Sequence, residues 1–382
     1  MIFRILEDQF AQKAREAKDA DLRFMQLALA LGRRGQGRTW PNPAVGAVVV
    51  RDGVIVGRGW TQPGGRPHAE PEALLRAGEA ARGATLYVTL EPCSHFGKSP
   101  PCADAVIAAG IKRVVAAIED PNPEVAGQGH ARLRAAGVQV DVGLCAAEAA
   151  FDHAGHFRRI RDKRPHVILK LAVSPDGKIG AAGGKPVAIT GEAARNRVHL
   201  LRAQSDAILV GIGTVLADDP LLTCRLPGMA ARSPVRVVLD QSLRIPVASR
   251  LIGSARETPL WVMGSELAEA AAATRLGATG AQVIRVPQAG ASGLDLPAVL
   301  QALAGKGITR LMVEGGSRVA SSFVAADLVD EIWLFRGAEA VGNGGVDALD
   351  ALPLSKITQS RAYKLHASET FDKDTLTVYE RA

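Results

Sequence analysis

Apolar residues at Leu22, Met25, Leu27, Leu29 and Leu31 recur at helical spacing and predict a helix from Asp21, read as its N-cap, to about Arg34. Pro41-Asn42-Pro43 breaks it, and the unbroken run Val45–Val50 reads as a buried strand. Asp52-Gly53 is a two-residue hairpin turn into a second strand over 54–59. A Gly/Pro loop (63–67) then delivers the chain to His68 at the start of a helix ending near Gly83. Strand over 84–90, helix over 102–109, strand over 113–118, helix over 125–136 and strand over 138–142 follow. A hairpin followed by alternating helices and strands predicts a three-layer α/β sandwich around a mixed sheet.

Residues 147–161 read as a further helix, and the basic run Arg158–Arg164 before Pro165 reads as a solvated linker. Beyond it the alternation restarts with strands over 166–174, 207–210, 235–240, 260–263, 282–286 and 311–313. Helices are predicted over 192–203, with Thr190 as N-cap, over 296–306 and over 319–326. This spacing predicts a second α/β domain with a largely parallel sheet. The halves show no repeat, so the expected division is residues 1–163 and residues 164–382.

Composition narrows the picture. The 382 residues carry a formal charge of +7, with aromatics at only 4%. A basic balance favours anionic ligands; scattered Arg without a dense run favours small phosphorylated ones over nucleic acid. Four cysteines are too few for a disulfide scaffold and point to a reducing compartment. No run reaches membrane-spanning length, and residues 1–18 lack a signal-peptide core, reading as an extra amphipathic helix or a ragged leader. A cytoplasmic protein is expected.

The chemistry concentrates between Pro67 and Cys102. His68-Ala69-Glu70 is followed by Pro92-Cys93 and by Cys102, so the thiols stand 25 and 34 residues after the imidazole. One His and two Cys give zinc three protein ligands and leave a position open for water, as catalytic sites do and structural sites do not. An acid beside such a water is the working pair of the zinc-dependent base deaminases. Residues two apart point away from each other inside a helix, but in a first turn His68 and Glu70 can both reach a metal off the helix end. Cys102 also falls at a predicted helix start, where the dipole favours thiolate. The bland reading is a closed structural zinc with His95 as fourth ligand; His95 is expected instead to line the substrate pocket. Cys145 and Cys224 are isolated thiols.

In the second half, Gly211-x-Gly213 lacks the third Gly of a dinucleotide fingerprint. Two Gly-rich strand-to-helix turns, here and at Glu314-Gly315-Gly316-Ser317, together suggest phosphate binding by free helix-start amides.

With these residues in view, the chain from Asp21 onward resembles the bifunctional riboflavin-biosynthesis family, a pyrimidine deaminase fused to a pyrimidine reductase. Pro41-Asn42-Pro43-x-Val45-Gly46, His68-Ala69-Glu70 and Thr89-Leu90-Glu91-Pro92-Cys93-Ser94-His95 look like the deaminase half. Other cytidine-type deaminases space the thiols P-C-x-x-C; the gap of eight residues here, with Gly97-Lys98-Ser99-Pro100-Pro101, is characteristic of the riboflavin branch. Asp120-Pro121-Asn122-Pro123, Leu201-Arg202-Ala203, Gly211-x-Gly213-Thr214-Val215-Leu216-Ala217-Asp218-Asp219-Pro220, Leu222-Thr223-x-Arg225 and Glu314-Gly315-Gly316 also match.

The resemblance implies a three-layer cytidine-deaminase-like domain followed by a dihydrofolate-reductase-like one, with zinc and NADPH as cofactors. It implies zinc on His68, Cys93 and Cys102, Glu70 as proton shuttle, and deaminase substrate contacts from Asn42, His95 and Lys98. It assigns NADPH to Ala172, Ala188, Thr214, Asp218, Gly316, Ser317 and Arg318. Reductase substrate contacts fall to Pro186, Arg202, Leu222, Arg225 and Glu314, the two Arg suiting a sugar phosphate. Pro186 and Ala188 stand where many members carry a polar residue and a Trp, which alters the expected cofactor packing. The implied partner is a phosphorylated pyrimidine, with neither nucleic acid nor membrane, and the implied assembly a homodimer.

Three rivals compete. A nucleic-acid base deaminase leaves the second half unexplained. A non-enzymatic zinc module has no use for Glu70. A chain with one live activity is separated from the bifunctional reading by assaying each half.

Overall fold

The computed structural model describes residues 2–382 except 98, 185–186 and 291–292, and leaves out the side chains of residues 2–17. Contacts divide the chain into two compact units, Met1–Asp162 and Lys163–Ala382.

The first unit runs α1 (Ile2–Arg33), β1 (Gly46–Arg51), β2 (Val54–Trp60), α2 (Ala69–Ala77), β3 (Thr85–Val88), α3 (Cys102–Ala108), β4 (Arg113–Ala116), α4 (Gln128–Ala135), β5 (Gln139–Val142), α5 (Ala146–Asp152) and α6 (Ala154–Asp162). Its sheet has the order β2-β1-β3-β4-β5, antiparallel at β2-β1-β3 and parallel beyond. The Asp52-Gly53 turn joins Arg51 to its partner Val54 with positive φ at both turn residues, as this residue pair favours.

Period-two alternation sorts the strand side chains into two layers. Val48 and Val50 pack with Met25, Ala28 and Leu29 of α1 and Ala149 of α5, whereas Ala47 and Val49 pack with Ala69 and Ala73 of α2, Val106 of α3 and Leu133 of α4. The three-layer expectation holds.

Asp21 is not an N-cap. The helix continues N-terminal to it as far as Ile2, and its carboxylate instead accepts from Arg113 at 2.7 and 3.0 Å and from Tyr87 at 2.5 Å. The expected helix over 147–161 is two, α5 and α6. The basic run is mostly the last turn of α6, with Arg158 paired to Asp162 at 2.6 Å. Arg164 is no solvated tail either, since it grips buried Asp330 at 2.5 and 2.7 Å.

The second unit runs β6 (His166–Val173), β7 (Lys178–Gly180), α7 (Glu192–Ala203), β8 (Ala207–Gly211), α8 (Ile212–Asp218), β9 (Val235–Leu239), α9 (Arg250–Gly253), β10 (Leu260–Ser265), α10 (Ala270–Ala278), β11 (Gln282–Val286), α11 (Leu296–Gly305), β12 (Arg310–Val313), α12 (Ser317–Ala325), β13 (Glu331–Arg336), β14 (Val346–Asp347), α13 (Ser355–Thr358), β15 (Tyr363–Phe371) and β16 (Asp374–Arg381). The large sheet has the order β11-β10-β9-β8-β12-β6-β13-β16-β15, parallel from β11 to β13 and antiparallel across β16 and β15. From β8 the chain steps outward to β11, then returns to insert β12 between β8 and β6. At such a reversal α/β sheets bind ligands beyond the carboxyl ends of their strands. The N-cap of α7 is Gly191, not Thr190, with its amide donating to Asp374 at 2.6 Å. Among the described residues, no helix is long and apolar enough to cross a membrane.

Candidate functional sites

In the first unit three element ends converge. His68 is the N-cap of α2, extended at φ −71° and ψ 168°, so its ring projects off the helix start while Glu70 lies in the first turn. Cys93 follows β3 in the Pro-rich loop, and Cys102 opens α3 behind Pro100-Pro101, which suit a first turn. His68 Nδ1 stands 3.2 Å from Cys102 Sγ and 3.7 Å from Cys93 Sγ, and the Cys102 amide donates to Cys93 Sγ at 3.3 Å.

A zinc ion with bonds of about 2.0–2.3 Å to tetrahedral N and S ligands separates those ligands by a similar span, so the donor set fits zinc. The hydrogen bond to Cys102, the Cys102 amide and His68 together lower the Cys93 thiol strongly, while its hydrogen bond to Cys93 and burial push Cys102 up. His95 is exposed on the loop and lies outside this group, so the three-ligand reading stands over the closed one among the described residues.

Glu70 is buried, and its Oε2 has no hydrogen-bond partner. Burial lifts its carboxyl to about 7, against the opposing charge of His68. A buried carboxylate oxygen without a donor needs an explanation, and a water held at the open metal position supplies one. Asn42, expected against the pyrimidine, turns its amide to His68 Nε2 at 3.1 Å and to the Gly65 carbonyl at 2.9 Å. Lys98 lies outside the described residues.

A second acidic group, Glu91, Glu119 and His130, also has metal-like spacing. Both oxygens of Glu91 are already taken by backbone amides of Asp120, Gly127, Gly129 and His130, which fills the carboxylate's acceptor sites and leaves none for a cation.

In the second unit the candidates gather at the carboxyl ends of β8, β12 and β6. Thr214, in the first turn of α8, accepts from the Gly316 amide at 3.2 Å, so the two Gly-rich turns touch. Side chains at Gly211 or Gly315 would strike Val319 at 2.8 and 2.9 Å, and their absence lets the starts of α8 and α12 converge. That backbone cradle, opening on Ser317 and Arg318, fits the phosphates of a dinucleotide. Asp218 ends α8, Ala172 lies near the end of β6, and Ala188 is exposed on the following loop; Pro186 is outside the described residues.

Glu314 sits between Lys170 at 3.1 Å and Arg202 at 2.9 Å. Burial pushes its carboxyl up, but the two cations outweigh this and hold it down at about 2. Arg202, expected to grip phosphate, is itself buried and also donates to the Thr223 carbonyl at 3.1 Å. Arg225 is the more available of the two, with its amide on neutral His199 Nδ1 at 3.4 Å. Leu222 is buried in left-handed backbone at φ 56°, which sets the turn between α8 and Arg225. Sequence reading missed Lys170. Its signal was a lone cation in the otherwise apolar strand 166–173.

Comparison with known proteins converges with this geometry. Residues 18–118 match the cytidine and deoxycytidylate deaminase zinc-binding region, and residues 165–377 match the RibD C-terminal domain. The riboflavin biosynthesis protein RibD of Aquifex aeolicus is 40% identical over 95% of this chain and 99% of its own length. That of Escherichia coli is 41% identical over 89% and 94%. The RibD structure from Acinetobacter baumannii superposes with a TM-score of 0.84 at 35% identity, covering 95% of this chain and 99% of that one. The Thermotoga maritima diaminohydroxyphosphoribosylaminopyrimidine deaminase/5-amino-6-(5-phosphoribosylamino)uracil reductase gives 0.83 at 36%, with the same coverage. A zinc-binding deaminase region and a reductase domain, matched together with full-length relatives over 95% of the chain, place this protein in the RibD family of bifunctional pyrimidine deaminase–reductases of riboflavin biosynthesis.

Proposed function

We propose that residues 1–163 deaminate 2,5-diamino-6-(5-phosphoribosylamino)pyrimidin-4-one by hydrolysis. Residues 164–382 then use NADPH to reduce the ribosyl chain to ribityl, giving 5-amino-6-(5-phosphoribitylamino)uracil. The observation that carries the first step is the unpartnered, buried Oε2 of Glu70 beside a His/Cys/Cys donor set. Bound zinc on His68, Cys93 and Cys102 supplies Lewis acidity that makes water available as a nucleophile near neutral pH. Glu70 takes a proton from the attacking water as its oxygen bonds to the amino-bearing ring carbon. The same carboxyl returns that proton to nitrogen as the carbon–nitrogen bond breaks and ammonia leaves. Asn42, His95 and Lys98 supply the contacts to the pyrimidine substrate.

For the second step, bound NADPH would supply hydride to C1′ of the sugar as the ring C1′–O4′ bond opens and the former ring oxygen takes up a proton from water. Thr214, Asp218, Ala172, Ala188 and the turn Gly316-Ser317-Arg318 hold that cofactor. Lys170 and Arg202 around the single carboxylate of Glu314 leave one net positive charge, which suits a phosphorylated substrate. Pro186, Leu222 and Arg225 complete the substrate contacts. The substrate is a small molecule, not a nucleic acid. The same proposal takes in a cytoplasmic setting, supported by four free thiols, and a homodimer, on the family resemblance.

The order of steps is tested with Glu70→Gln. The parent chain should oxidise NADPH when given the diamino substrate, and the variant should do so only when given the deaminated one. NADPH oxidation by the variant on the diamino substrate would contradict the proposal.

A further inference from the structure

Both thiol ligands of the candidate zinc centre sit on segments that touch α4, although α4 contributes no ligand. The contact begins at Glu91, three residues past the end of β3 and two before Cys93. Its Oε1 accepts from the amides of Gly129 at 2.8 Å and His130 at 3.2 Å, and its Oε2 from those of Gly127 at 3.0 Å and Asp120 at 3.3 Å. One buried carboxylate thus gathers the loop 120–127 and the first turn of α4 onto the chain that leads into the metal loop.

The approach is as close as backbone allows. A Cβ at Gly129 would overlap the carbonyl oxygen of Pro92, the residue between Glu91 and Cys93, so only glycine fits there. One turn further along α4, Arg132 donates to the Ser94 carbonyl at 3.2 Å and pairs with Asp104 of α3 at 2.6 Å. Ser94 follows Cys93, and Asp104 lies two residues after Cys102. The loop's far end is fixed as well, Asp120 meeting His156 of α6 at 3.1 Å.

We propose that α4 is a clamp on the zinc centre, with Glu91 as its anchoring residue and Arg132 as its second point of attachment. Glu91 is a positioning residue: it holds Pro92 and Cys93 from one side while Arg132 ties Ser94 to the start of α3. Together they fix the separation of the two thiols before the metal binds. Outer partners that orient metal ligands change metal affinity or activity by roughly 10–100-fold when removed. Four amides on one carboxylate also predict that an amide side chain cannot replace it, because its NH₂ would face N–H donors. The inference rests on reading His68, Cys93 and Cys102 as a zinc site.

The test is the rate at which zinc-loaded full-length protein releases zinc to a chromogenic chelator, for Glu91→Gln and Arg132→Ala, with the circular-dichroism spectrum of each zinc-loaded chain, matched to the parent's, as the folding control. Glu91→Gln should release zinc about 10–100-fold faster. Arg132→Ala, which removes a half-exposed pair, should release it roughly threefold faster. Both variants should keep the parent reductase rate, and deamination by zinc-saturated Glu91→Gln should lose kcat with KM held. Parent-like zinc release from Glu91→Gln would overturn the clamp, even if the melting temperature fell, because that is the mark of a general packing role. Should Glu91→Gln fail to fold, Arg132→Ala decides alone: faster release supports the clamp and parent-like release overturns it. A parent chain that holds no zinc would overturn the metal-site reading and the clamp with it.

Discussion

Glu70 is a buried carboxyl and Glu314 a partly buried one, and their surroundings drive them apart. Burial dominates at Glu70 and lifts it to about 7, whereas Lys170 and Arg202 outweigh burial at Glu314 and hold it at about 2. The first is a group poised to exchange a proton, the second a fixed charge. Replacing Glu70 by Gln should therefore reduce deamination by at least about 100-fold while bound zinc is kept. Zinc content is read by metal analysis, and deamination near the parent rate would contradict the assignment.

His199 offers a pH test in the other half. Burial first, then Arg202 and Arg225, lower its imidazole from the ordinary 6.5 to about 4. The unfolded chain then takes up the proton before the folded one, so stability falls as pH drops from about 6.5 towards 4 and levels off below. His199→Gln should flatten that part of the dependence of melting temperature on pH; an unchanged slope would show that His199 does not contribute. Of these residues, the metal ligands and Glu70 were legible from type and spacing alone. Lys170 was not, because strand periodicity hides which polar exception meets a charged neighbour. Spacing also does not reveal the hydrogen-bond partners of Asn42 and Arg202.

Among the elements, the hairpin and the starts of α2 and α3 were readable because each has local chemistry: Asp-Gly at the turn, and breakers before His68 and Cys102. The antiparallel hairpin β15–β16, whose β15 forms one edge of the sheet, is not marked by a connecting helix, and the expectation of a largely parallel sheet passed over it. Asp21 shows how a local signal misleads. An Asp before an apolar repeat is a good cap signal, yet α1 continues past it and uses Asp21 to tie α1 to β3 and β4 through Tyr87 and Arg113. Because the pair is partly exposed, Asp21→Ala should cost only about 1 kcal/mol. The denaturant midpoint for loss of deamination should fall, and that for loss of reduction should not. Equal shifts in both would contradict this placement.

At the scale of the whole molecule, two sites with separate residue sets serve one reaction sequence in one chain. The residues proposed for the deaminase site fall between Asn42 and Cys102, and those proposed for the reductase site between Lys170 and Arg318. Stripping zinc should stop deamination and leave reduction of the deaminated substrate intact; parallel loss of both would mean that the metal serves more than the first unit. The most direct test of the account is mass spectrometry of the products formed from the diamino-pyrimidinone ribosyl phosphate by zinc-loaded protein, with and without NADPH. The account predicts exchange of the amino group for oxygen without NADPH, and gain of two hydrogens only when NADPH is present. Reduction of the substrate with its amino group still attached, or no deamination by protein that holds zinc, would contradict it.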